Sequence, residues 1–80
     1  MSGSELQELL AGSSPISTGW VELIGGQVVR GLHPRVVTTE EADALGAGFA
    51  DYLVMDVPDD PVSLYRFRVG SVVGLAVAAP

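Results

Sequence analysis

His33 is the single histidine of the 80-residue chain, and cysteine is absent. A catalytic imidazole needs a nucleophile to deprotonate and a carboxylate to orient it. Gly31, Leu32 and Pro34 around His33 supply neither and read as a turn. Asp56, Asp59 and Asp60 form the densest group of carboxylates, with the oxygen donors that a hard cation such as Ca²⁺ takes. Pro58 and Pro61 stiffen that segment, however, and the alternating ligand ladder of an EF-hand is missing, so these aspartates are expected to shape a turn. Glu40, Glu41 and Asp43 suit the positive end of a helix dipole. Gly70-Ser71-Val72-Val73-Gly74 has neither the Lys-Ser/Thr that follows the glycines of a phosphate loop nor the G-x-S-x-G of a nucleophile elbow. No catalytic set, metal-ligand set or cofactor motif emerges, and a non-enzyme without catalytic, metal or cofactor residues is expected.

The bulk composition narrows the remaining classes. Ten carboxylates oppose four arginines, giving a net charge of −6 with no lysine. Binding to a nucleic-acid backbone or an anionic membrane requires a basic surface, so the expected partner is protein: the chain itself or an assembly neighbour. Hydrophobic residues make up 48% of a chain that can bury only a modest share of its surface and has no cysteine for a disulfide. Oligomerisation is the remaining common way to strengthen so small a core. Lys and Asn are absent and Ile occurs twice. All three use AT-rich codons, which points to a GC-rich genome, cellular or phage. Neither a basic, apolar leader nor an apolar run of spanning length is visible. The expected location is cytoplasmic, or the virion for a phage-encoded protein.

The elements that position these residues follow from pattern and punctuation. One domain is expected over 1–80, with 1–3 loose and 13–19 a loop. Ser4-Glu5-Leu6-Gln7 has the form of a capping box opening a helix over 4–12, with Leu6, Leu9 and Leu10 on one face. Trp20 to Ile24 and Gln27 to Leu32 read as strands joined by a two-residue Gly25-Gly26 turn. That turn sets Leu23 opposite Val28 and Glu22 opposite Val29, with Val21, Leu23 and Val28 facing inward and Trp20 folded over an edge. His33-Pro34 breaks or bends the chain before a short strand, Arg35 to Val37. Thr38 and Glu41 form a second capping box, opening a helix over 39–47. Tyr52 to Val57 is a strand, Pro58 to Pro61 a tight turn, and Val62 to Val69 the returning strand.

The end of the chain has the strongest pattern. Tyr65, Phe67 and Val69 alternate with Leu64, Arg66 and Arg68, the period of a half-buried strand. After the Gly70-Ser71 bend, Val72 to Ala79 contains no charge. A strand with neither face polar is normally covered on both sides. In a domain this small, one cover is expected to be another chain.

The architecture expected is mainly β with two short helices: a small, partly open barrel of about five strands, SH3-like or Sm-like, occupying 20–80 with the 39–47 helix inserted. The alternative is an α+β antiparallel sheet with both helices on one face. The analogy carries no RNA-binding expectation, because the Asn characteristic of Sm proteins cannot be present. The function expected is that of a non-catalytic structural or protein-interaction module, acting as a homo-oligomer or as a subunit of a larger assembly. A phage virion accessory protein of the capsid, head–tail junction or tail is its concrete form. The alternative is a small acidic regulatory binder of a basic cellular or host protein. Candidate interaction residues are Trp20, Tyr65, Arg66, Arg68, Val73, Leu75 and Val77, with Leu6, Leu9 and Leu10 of the first helix.

Overall fold

The computed structural model describes residues 1–37 and 52–79. The helix expected over 39–47, with its Thr38 capping box, lies outside the described residues. Among these residues one short helix, α1 (Gly3–Leu10), precedes five strands: β1 (Thr18–Leu23), β2 (Val28–Val37), β3 (Tyr52–Val57), β4 (Asp60–Arg68) and β5 (Val72–Ala78). A single 3-10 turn, Val69–Ser71, joins the last two. All pairings are antiparallel, and the strands form one sheet in the order β4-β3-β2-β1-β5. The sheet is not closed: β4 and β5, neighbours in sequence, occupy its two edges. No helix among the described residues is long and apolar enough to cross a membrane.

Helix α1 starts earlier than its sequence suggests. Ser2, not Ser4, is the N-cap, and Glu5, not Gln7, completes the capping box. The Ser2 hydroxyl accepts from the Glu5 N–H at 3.2 Å, and Glu5 Oε1 accepts from the Ser2 N–H at 3.1 Å. Both serines have an acceptor three residues on. With the earlier cap in use, Leu6 is fully buried against the sheet. Residues 1–3 are therefore engaged rather than loose. The Met1 amine donates to the carbonyls of Val69 and Val72, and the Met1 side chain packs on the core.

The first hairpin differs from its expected form by one residue. The Gly26 N–H donates to Leu23 O and the Leu23 N–H to Gln27 O, both at 2.8 Å. The loop is thus Ile24-Gly25-Gly26, and only Gly26 has positive φ, at +84°. A turn followed by a left-handed glycine is the three-residue hairpin loop with a bulge. The register becomes Val21↔Val29 and Glu22↔Val28. A one-residue slip exchanges the faces of the returning strand. Val29 consequently packs on the core, whereas Val28, expected inside, is 63% exposed.

Strand β2 runs through His33-Pro34 instead of ending there. Leu32 pairs with Asp56 and Arg35 with Val54, so His33 and Pro34 together oppose Met55. That two-against-one arrangement is a β-bulge, one of the few places a sheet accepts proline. His33 takes φ +50° to make it. The second hairpin follows its sequence reading more closely. β3 has the expected bounds, but the turn is only Pro58-Asp59, with Asp59 at φ +65°, and not the expected Pro58 to Pro61. Asp60 and Pro61 already belong to β4, an edge strand and so able to accept proline. A proline followed by a residue of positive φ has the dihedral signs of a type II turn.

The core lies between α1 and the concave face of the sheet. Leu6, Val21, Leu53, Met55 and Val72 are fully buried there, flanked by Leu10, Leu23, Val29, Val36, Tyr65, Phe67, Val69 and Leu75. Val54, with Val37 and Tyr52, is buried on the opposite face. The strand buried on both faces is therefore β3. Strand β5, one cover of which was expected to be another chain, leaves Val73, Ala76 and Ala78 exposed in the single chain.

Candidate interaction surface

The convex face of β2, β1 and β5 is defined by register. Trp20 stands between Arg30 on β2 and Ala76 on β5, Glu22 between Val28 and Gly74, and Thr18 between Leu32 and Ala78. Between Glu22 and Leu23 the β1–β5 register shifts, leaving Val73 as the extra residue of a bulge. Trp20, Val28 and Val73 are exposed, and Ile24 at the tip of the hairpin is 74% exposed. On the β5 side, Gly74, Ala76 and Ala78 present only small groups. The Glu22 carboxylate reaches over Gly74, where its Oε2 would stand 3.5 Å from a Cβ.

The outer edge of β5 pairs with no strand among the described residues. The direction of its backbone groups follows from the hairpin. The Leu23 N–H and C=O are both used toward the β2 side. By antiparallel alternation, Gly19 and Val21 also turn toward β2, and Thr18, Trp20 and Glu22 turn toward β5. Gly74, Ala76 and Ala78, their register partners, bond back to β1. Leu75 and Val77 then aim their N–H and C=O groups away from the sheet.

The other candidate residues are distributed unevenly around this surface. Leu6 is buried and Leu10 half-buried, whereas Leu9 is 49% exposed beside Val77 and Ala79. These three line an open recess of about 320 Å³ with Ala11, Ser13 and Ser17. Leu75 and Val77 are half-buried, and Leu75 packs on the core. Tyr65 also faces the core and stacks on Phe67, with ring centroids 6.0 Å apart. Arg66 and Arg68 are exposed on β4, at the far edge of the sheet from β5. The structure therefore places Val73, Leu75 and Val77 on the edge strand β5, Trp20 one strand in on β1 and Leu9 beside Val77, and sets Tyr65, Arg66 and Arg68 apart. Val28 and Ile24 join the exposed surface unforeseen. The signal for them was the loop length, since a three-residue turn puts Val28 outside.

The polar candidates perform local tasks. The His33 N–H donates to Ser17 O at 2.8 Å, and its carbonyl accepts from Arg35 Nη1 at 2.9 Å. Arg35 Nη2 also reaches Asp56 Oδ1 at 3.2 Å. Asp60 accepts from the Ser63 hydroxyl at 2.7 Å and from the Val62 N–H at 3.4 Å, which ties down the start of β4. Among the described residues, no three His, Asp or Glu side chains are placed to hold a metal ion. Gly70-Ser71 lies in the 3-10 turn, where the Ser71 carbonyl accepts from the Ile24 N–H at 3.0 Å. No family model, curated protein or solved structure matches the chain.

Proposed function

We propose that the protein is a non-catalytic structural or interaction module that works as a homo-oligomer or as a subunit of a larger assembly. The observation that carries this reading is the β5 edge: an uncharged strand with outward backbone groups at Leu75 and Val77, bordered by exposed Trp20, Val73 and Leu9. An unpaired strand edge is a template for another chain unless charge, proline or a bulge protects it. Aromatic residues at such a margin are common interface anchors.

Sequence neighbours at opposite edges suit a sheet rolled part-way into a barrel, which supports the SH3-like or Sm-like reading. A virion accessory subunit of the capsid, head–tail junction or tail is the concrete form we favour, because the composition fits a GC-rich phage genome. Sedimentation at micromolar concentration tests the module reading. A mass at least twice 8.3 kDa is expected. A monomer with a well-dispersed NMR spectrum and no partner would overturn it. A monomer captured by a basic protein in a salt-sensitive manner would replace it with the acidic-binder alternative.

A further inference from the structure

Among the described residues the two edge strands of the sheet, β4 and β5, pair with no further strand, and they are not equivalent. Strand β4 begins with Asp60-Pro61, carries Arg66 and Arg68, and shifts register against β3 between Asp56 and Val57. Proline, charge and irregular pairing are the devices that keep an edge from recruiting another strand. Strand β5 has neither proline nor charge from Val72 to Ala78, and its one bulge lies at its start, leaving Gly74 to Ala78 regular.

Resting on the module reading, we infer that β5 pairs antiparallel with β5 of a second copy across a twofold axis at Ala76. The register follows from the outward groups. With the axis at Ala76, Leu75 of each copy faces Val77 of the other. Both exchange N–H···O bonds, giving four in all. With the axis at Leu75, Val77 would instead face Val73, the bulged residue. Ala76 bonds back to β1, so its two copies meet as a non-hydrogen-bonded pair with Cα atoms about 4.5 Å apart.

The second copy fits by charge as well as by hydrogen bonding. Every cross-axis pair from Gly74 to Ala78 is uncharged, and the charge beside the row is the Glu22 carboxylate, which lies over Gly74 on the convex face. On the convex face the facing pairs are Ala76 with Ala76 and Gly74 with Ala78. Trp20, adjacent to Ala76 within each chain, closes the row on both sides. On the concave side, exposed Leu9 beside Val77 lies next to the same edge. An isologous contact of this kind closes as a dimer and leaves no edge of β5 for further growth.

Cysteine absent from the chain makes the test direct. Ala76→Cys places two thiols across the axis, within the Cα separation that a disulfide spans. Mild oxidation of this variant at micromolar concentration is expected to give a covalent dimer in high yield, whereas Val62→Cys, 89% exposed near the other edge, gives little. Ala76→Lys sets like charges opposite each other at an exposed site. It is expected to weaken the dimer at least tenfold while leaving the circular dichroism spectrum unchanged, and added salt is expected to recover part of the loss. Amide exchange at Leu75 and Val77 is expected to slow as protein concentration rises. A dimeric wild type in which Ala76→Cys fails to cross-link and Ala76→Lys has no effect overturns this pairing but leaves the module reading in place. A monomer whose Leu75 and Val77 amides are already protected shows that the chain covers its own edge, and overturns both.

Discussion

Gly31 of β2 lies against Met55 of β3 so closely that a Cβ on Gly31 would stand 2.6 Å from Met55 Cβ and 2.9 Å from its sulfur. Gly19, its register partner on β1, is overlain by the same sulfur and by the Pro34 ring. The two glycines form a notch across two strands, and the bulge at His33-Pro34 curls β2 so that Met55 fills it. The close approach of β1, β2 and β3 at this point therefore depends on the absence of two side chains.

Gly31→Ala is expected to destabilise the protein by about 1–3 kcal/mol, the usual range for overpacking a filled core. That is a substantial share of the roughly 4–12 kcal/mol expected for a domain of this length. Urea denaturation followed by Trp20 fluorescence measures it. Shortening Met55 does not rescue the variant, because the closest clash is with Met55 Cβ. Equal midpoints for wild type and variant would mean that the notch is not filled.

The first hairpin allows a paired test. Gly26 has positive φ and Gly25 does not, while a Cβ at either position would meet no atom within 4 Å. Gly26→Ala is expected to cost about 1–2 kcal/mol, the penalty of a left-handed backbone for a residue with a Cβ. Gly25→Ala is expected to be neutral or slightly stabilising, since it restricts the unfolded chain without straining the turn. Chemical denaturation of the two variants side by side distinguishes this loop from a two-residue turn, in which both substitutions would be costly.

Legibility in the sequence followed how many registers each local signal permits. The strict alternation from Leu64 to Val69 admits one choice of face, and Tyr65, Phe67 and Val69 do face the core. Pro58 and Asp59 likewise mark the turn after Val57, whereas Asp60 and Pro61, expected in that turn, open β4 instead. Gly25-Gly26 marks a turn without fixing its length, and the one-residue difference moved Val28 from core to solvent. The capping box expected at Ser4-Gln7 lies two residues late: the Ser2-Glu5 pair caps the helix, and the two patterns have the same local form. A bulge made β2 continuous through Pro34, and no residue pattern within β2 alone reveals which strand it must curl around. The proposed interaction edge is marked in the sequence by the absence of charge in β5. Its outward groups became assignable only with the register.

The cap of α1 predicts both a mutational and a pH effect. Ser2→Ala is expected to lose about 1 kcal/mol, and Ser4→Ala little. Bonding to the Ser2 backbone N–H, and then to its hydroxyl, holds the Glu5 carboxyl below its ordinary value. A carboxylate with a lowered folded-state pKa stabilises the fold above its unfolded-state pKa and loses that contribution as pH falls through the folded value. Acid titration of stability is therefore expected to show a component from Glu5 at and below the ordinary carboxylate range. Glu5→Gln removes that component, and an unchanged pH profile in the variant would contradict the cap.

His33 is held at φ +50° by the bulge, with its backbone N–H and C=O both hydrogen-bonded. His33→Gly relieves the left-handed strain and is expected to keep or raise stability, despite glycine's larger entropy loss on folding. His33→Val, β-branched at the same φ, is expected to lose about 1–2 kcal/mol or more. Thermal unfolding of both variants reads the difference. Loss of stability in the glycine variant would mean that the imidazole makes a contribution of its own.

The pairing of β1 with β5 also governs how the chain reaches its fold. Thr18 meets Ala78 across most of the sequence, whereas β3 meets β4 through the short Pro58-Asp59 turn. Loop-closure entropy delays contacts of the first kind, and proteins dominated by them fold in milliseconds to seconds. During synthesis, β1 would emerge early yet keep one side unpaired until β5 left the ribosome. Trp20, opposite Ala76, sits where that last zipping step occurs, so its fluorescence would report the slowest phase of refolding rather than the first collapse.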